Sequence, residues 1–176
     1  MKIYLACTVR GDRDAVAALR RLANDLEAAG HVVLTRHLLN DDVESAEAAL
    51  SERQVYERDI EWLNAADALI ADASGSSFGV GFEVGWVLAN SERTNQRVLL
   101  LYRADRRDRI SRLIVGNAHP NCTVIQYSDA APTRKRIPSN RQIEPPPAAT
   151  VWICIIGARI RTPATTLSSA SSNCPA

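Results

Sequence analysis

Residues 1–128 predict an α/β domain, a five-stranded parallel sheet wound on both faces in a flavodoxin-like or Rossmann-like order. Three observations lead there. Five short apolar runs recur along the chain, and helical patterns separate them. The runs are almost continuously apolar, as strands buried on both faces are, and do not alternate as a sheet face open to water would. Beyond residue 128 the composition changes: residues 1–128 carry 15 Lys/Arg against 18 Asp/Glu, residues 129–176 carry 6 against 2, and seven of the eight prolines fall in the second part. A boundary near Asp129 is therefore expected, with a folded domain over 1–128 and a Pro-rich, basic, poorly ordered tail over 129–176.

The elements follow in order. KIYLAC (2–7) is a short apolar run bounded by turn formers, the first strand. Val16, Leu19, Leu22 and Leu26 recur at threes and fours, which predicts an amphipathic helix with Asp12 or Asp14 near its start and Gly30 just past its end. HVVLT (31–35) reads as strand two. Residues 43–66 hold neither Gly nor Pro and predict one long helix. DALIADA (67–73) is strand three, Val80 to about Glu92 a helix, RVLLLY (97–102) strand four, RDRISRLIVG a short helix and CTVIQY (122–127) strand five. In such a sheet the ligand sits beyond the carboxyl ends of the strands, so the loops after Cys7, Ala73 and Tyr102 are the ones to watch. In the tail, VWICII (151–156) is a lone apolar hexamer to which no function is assigned.

Composition narrows the function classes. At 46% apolar and 23% charged, with a net charge of +1, the chain has nothing global to draw it to polymeric nucleic acid or to a membrane surface. No apolar run reaches the ~18 residues of a transmembrane helix. The start MKIYLAC contains a Leu-Ala-Cys box but no apolar stretch before it, which argues against a signal peptide. Cys7, Cys122, Cys154 and Cys174 show neither CxxC nor a zinc spacing, so no metal site is indicated and a reducing, cytoplasmic setting is expected.

The chemistry concentrates in SGSSFGVGFEVGW (74–86), where strand three becomes a helix. Gly79 and Gly81 would let a ligand approach the backbone, and the first turn of the helix offers free N–H groups to a phosphate. Ser76 or Ser77 would cap that helix or donate a hydroxyl to the same anion. Glu83 is placed in about the first turn. It is either a surface acid at a helix start or a carboxylate aimed at an electron-poor carbon, such as the anomeric carbon of a sugar phosphate. Asp59 lies beside the apolar seam of YERDIEWLNAAD (56–67), whereas Glu57 and Glu61 should point elsewhere. It is either a solvated helix carboxylate or an acid whose pKa burial raises into a proton donor's range.

Taken together, KIYLACTVRG, YERDIEWLNAADALIAD and SSFGVGFEVG resemble the 2′-deoxynucleoside 5′-monophosphate N-glycosidases of the nucleoside 2-deoxyribosyltransferase superfamily, over residues 2 to about 128. The resemblance implies hydrolysis of the N-glycosidic bond through a glycosyl-enzyme intermediate, without a cofactor. It implies Glu83 as nucleophile, Asp59 as the acid that assists base departure, and Tyr4 as the hydroxyl that holds the nucleophile. It also implies Thr8, Arg10, Ser77 and Gly79 around the 5′-phosphate, His37 near the base, and a homodimer in which Ser111 reaches the neighbouring site. The sequence departs from the family pattern at Cys7 and Asp12, where glycines are usual, at Phe82, where a tyrosine is, and in the tail, which stands where a closing helix is. Three other readings stay open: a deoxyribosyltransferase acting on nucleosides, a ribonucleotide N-glycosidase, and a non-catalytic nucleotide-binding module.

Overall fold

The structure, a computed structural model, describes residues 1–128. The expected tail and its hexamer lie outside the described residues. Strands β1 (Lys2–Ala6), β2 (Val32–Val33), β3 (Ala68–Asp72), β4 (Arg97–Arg103) and β5 (Cys122–Tyr127) pair in parallel in the order β2-β1-β3-β4-β5. That is the flavodoxin-like order, and its switch point lies between β1 and β3. Helices α1 (Val16–Ala28), α2 (Val43–Glu47), α3 (Glu52–Ala65), α4 (Phe78–Thr94) and α5 (Arg112–Val115) supply the connections, with 3₁₀ turns at Arg36–Leu39 and Ala104–Arg109. Among the described residues no helix is long and apolar enough to cross a membrane.

The core follows from the period of two along each strand. Tyr4 and Ala6 of β1, Leu69 and Ala71 of β3, and Val98 and Leu100 of β4 share one face and pack against Leu63 of α3 and Val80, Val84 and Val87 of α4. Ile3, Leu5 and Ile70 alternate to the other face and are fully buried there. Helix α1 buries Val16, Leu19, Leu22 and Leu26, the residues whose spacing predicts it, and Gly30 follows in the left-handed region at φ +85°. The acids near its start do not cap it. The N-cap residue is Ala15, with no side-chain bond, while Asp12 turns back on the Asp14 N–H at 3.0 Å.

Two further elements differ from expectation. The predicted strand 31–35 shortens to two residues, because Thr35 uses its hydroxyl where a ladder would use backbone. That hydroxyl accepts from Leu5 N at 2.9 Å and donates to Leu5 O at 2.7 Å, and the chain turns into the 3₁₀ segment. The predicted helix 43–66 divides into α2 and α3. Ser51 is extended and forms a capping box with Gln54, which starts a new helix where composition alone permitted one continuous one.

Candidate active site

Near the switch point, the segment after β1, helices α2 and α3 and the start of α4 line a cavity of about 590 Å³. The loop after β3 meets the loop after β1 at Gly75. A Cβ there would lie 2.8 Å from Thr8 Oγ1 and 3.0 Å from the Asp12 carbonyl, so only glycine permits the approach. Ser77, extended at φ −134°, then caps α4 by accepting the Val80 N–H at 3.3 Å. The helix therefore begins at Phe78, two residues before the expected start, and Glu83 lies in its second turn rather than its first.

Glu83 turns inward. The hydroxyl of fully buried Tyr4 on β1 donates to its Oε1 at 2.6 Å. Burial pushes the Glu83 carboxyl up to about 7, with the Tyr4 hydrogen bond opposing and the charges of Asp59 and Glu47 adding to the rise. The helix dipole, expected to favour the ionised form, is outweighed by desolvation. Burial and the adjacent carboxylate drive the Tyr4 hydroxyl far above its ordinary range, so it stays a donor.

Asp59 faces the same cavity from α3 and is half-buried, while Glu57 and Glu61 are exposed on the same helix. Its carboxyl is raised by burial and lowered by Arg58. Arg58 donates to Asp59 Oδ1 from Nε at 2.9 Å and to Glu47 Oε1 from Nη2 at 2.6 Å, and its guanidinium carbon stands 4.9 Å from the centre of the Trp62 ring. Glu47, at the end of α2, and Glu52, at the start of α3, line the cavity as further carboxylates. Sequence reasoning missed Glu47 and Arg58. A single helix over 43–66 carries no break that would turn Glu47 back towards Asp59, and the S-x-x-Q box at Ser51–Gln54 was the readable signal.

Arg10, Ser77 and Gly79 line the cavity with the carboxylates. Arg10 is exposed and forms no ion pair with any described residue, in contrast to Arg58. The other predicted site residues stand apart. Thr8 is buried behind the wall, its carbonyl taken by Arg13 Nη1 at 3.1 Å. His37 does not line the cavity; its ring packs edge-on to Trp62 at 5.3 Å, and its Nε2, 3.5 Å from Glu47 Oε1, has no hydrogen-bond partner among the described residues. Gly81 and Ser76 face a second groove of about 670 Å³ on the far side of Ser77, together with Ser111, Phe78, Leu113 and Ile110. That groove is the larger of the two, but no titratable side chain lines it, whereas the carboxylates line the smaller cavity.

Residues 3–136 match the family model for nucleoside 2-deoxyribosyltransferase. The chain belongs to this family. Among its relatives, a Thermofilum pendens protein carrying the name 2′-deoxynucleoside 5′-phosphate N-hydrolase 1 is 41% identical over 129 residues, 73% of this chain and 87% of the relative. A Danio rerio member named 5-hydroxymethyl-dUMP N-hydrolase is 30% identical over 131 residues, 73% of this chain and 88% of the relative. The family fold is also seen in a solved structure of Clostridium botulinum CMP N-glycosidase, BcmB. It superposes with a TM-score of 0.51 over 72% of this chain and 88% of the other, at 23% identity.

Proposed function

We propose that this family member hydrolyses the N-glycosidic bond of 2′-deoxynucleoside 5′-monophosphates to free base and 2-deoxyribose 5-phosphate. The observation that carries the reading is the Tyr4–Glu83 hydrogen bond at 2.6 Å in a cavity shared with Asp59. The names of the N-hydrolase relatives support it. In the first step a Glu83 carboxylate oxygen bonds to C1′ as the C1′–N bond breaks. The electron pair leaves with the base, and the Asp59 carboxyl gives its proton to a base nitrogen. In the second step a water oxygen attacks C1′, its proton passes to the Asp59 carboxylate, and the ester bond to Glu83 breaks. The logic is that of a retaining glycosidase, with Tyr4 fixing the orientation of the nucleophile.

Arg10, the Ser77 hydroxyl and the N–H of Gly79 in the first turn of α4 would hold the 5′-phosphate. The unengaged charge of Arg10 favours a phosphorylated substrate over a nucleoside. We further assign a homodimer. Phe78 and Leu113, 101% and 85% exposed, flank the second groove beside Ser111. A second copy seated there would bring its own Ser111 towards the phosphate end of this cavity. The free, buried thiols of Cys7 and Cys122 support a reducing cytoplasmic setting.

The test is incubation of purified protein with dGMP, dAMP, dCMP and dTMP, their ribose counterparts and the free nucleosides, with products separated by chromatography. Base release from at least one deoxynucleotide is expected, and Glu83→Ala should reduce it by about 10³-fold or more. An absence of base release at high enzyme concentration would remove the reading. Base exchange between unphosphorylated nucleosides would replace it with transfer.

A further inference from the structure

Glu47, Glu52, Asp59 and Glu83 line this cavity, and behind its wall the Arg58 guanidinium joins two of them, Asp59 and Glu47. Arg58 is mostly buried, with its side chain 20% exposed, and is anchored on three sides: by the face of Trp62, by Asp59 on its own helix and by Glu47 across the break between α2 and α3. Glu47 is as enclosed, at 16%, and takes the shorter of the two bonds. Resting on the hydrolase reading above, we propose that Arg58 and Glu47 are positioning residues for the acid. Arg58 holds the Asp59 carboxyl in place, and Glu47 competes with Asp59 for the same guanidinium.

The competition follows from what the acid has to do. A carboxyl clamped by a guanidinium alone stays ionised and has no proton to give. A carboxyl with no cation nearby in a half-buried site keeps its proton but also keeps its rotational freedom. Dividing the guanidinium between two carboxylates meets both needs: Asp59 is held through Oδ1, and Glu47 draws off part of the charge that would hold Asp59 ionised. The groups facing Asp59 are Arg58 on α3, Glu47 on α2, His37 on the 3₁₀ turn, Glu83 on α4 and Tyr4 on β1. Of these, Arg58 and Glu47 act on Asp59 with opposite sign.

Opposite signs make the proposal testable without turnover. The carboxyl carbons of Asp59 and Glu83 are titrated by carbon-13 NMR in the full chain, in Arg58→Gln and in Glu47→Gln. Arg58→Gln is expected to move the Asp59 midpoint up by about one pH unit or more, since a cation within bonding distance has been removed. Glu47→Gln is expected to move it down, because Arg58 then serves Asp59 alone, and to move the Glu83 midpoint down as well. The basic limb of the kcat/KM profile on a deoxynucleotide should follow Asp59 in each variant. Should either variant fail to fold, Arg58→Lys and Glu47→Asp replace them. An ammonium keeps the charge but lacks the planar fork that engages Asp59 and Glu47 together, so the first shifts upward by less, and the shortened acid releases the bridge, so the second shifts downward. Midpoints that stay in place, or that move in one direction in both variants, overturn the pairing. If the wild-type chain releases no base while the titrations move as described, the pairing stands and the hydrolase reading falls.

Discussion

Glu83 is the residue on which activity and stability pull against each other. As the proposed nucleophile it must be ionised, and burial has lifted its carboxyl to about 7. Activity should therefore fall as pH drops through the neighbourhood of 7. Tyr4→Phe removes the hydrogen bond that favours the ionised form, so the acidic limb of kcat/KM should move to higher pH by about one unit; an unmoved limb would show that Tyr4 does not govern the ionisation. The linkage to folding has a definite sign. Below 4.5, the ordinary value for a glutamate, Glu83 is protonated in both folded and unfolded chains. Between 4.5 and about 7 the unfolded chain releases the proton first, so stability declines as pH rises, and the full cost is present above about 7. Glu83→Gln keeps an acceptor for Tyr4 and never ionises. Its Tm should exceed the wild-type value by several degrees at pH 8 and by little at pH 4.5, as scanning calorimetry would read. Asp59 could be placed from the sequence because its neighbours set it beside the apolar face of its helix, and Glu83 drew attention because it follows the glycine- and serine-rich junction after strand three. Arg58 and Glu47 were not legible there, because their meeting depends on a chain reversal between two helices that apolar spacing does not encode.

At the scale of the element, short polar side chains decide where helices begin. Ser51 starts α3 and thereby sets where Glu47 stands relative to Asp59. Ser51→Ala should cost about 1 kcal/mol in urea unfolding. It should also lower kcat more than it raises KM, since the cavity's acid side loosens while its phosphate side is untouched; a parallel loss in both would assign Ser51 to folding alone. The five strands were readable from their apolar runs, and α1 from its spacing at threes and fours. Strand β2 was overestimated for a local reason: HVVLT has strand composition, but the Thr35 hydroxyl satisfies both backbone groups of Leu5 and ends the pairing. The start of α4 was placed late because glycines at 79 and 81 read as loop, although Ser77 caps the helix ahead of them.

For the whole molecule, the rule that crossovers are right-handed narrowed the strand order to a doubly wound sheet, and in such a sheet the ligand is expected at the strand carboxyl ends. The assembly is a separate matter. If two copies meet across Phe78 and Leu113, Leu113→Glu should leave the domain folded, since the side chain is exposed, yet give a monomer in sedimentation velocity with a raised KM for deoxynucleotides. A variant that remains a dimer would place the contact elsewhere. The Thr35 hydroxyl has a consequence at the opposite edge of the sheet. Parallel sheets expose unpaired strand margins that other chains can extend into fibrils. Among the described residues this margin offers only a two-residue strand, and next to it the amide and carbonyl of Leu5 are already occupied by a side chain. Among the described residues, an incoming strand would therefore find no backbone group of Leu5 left to pair with.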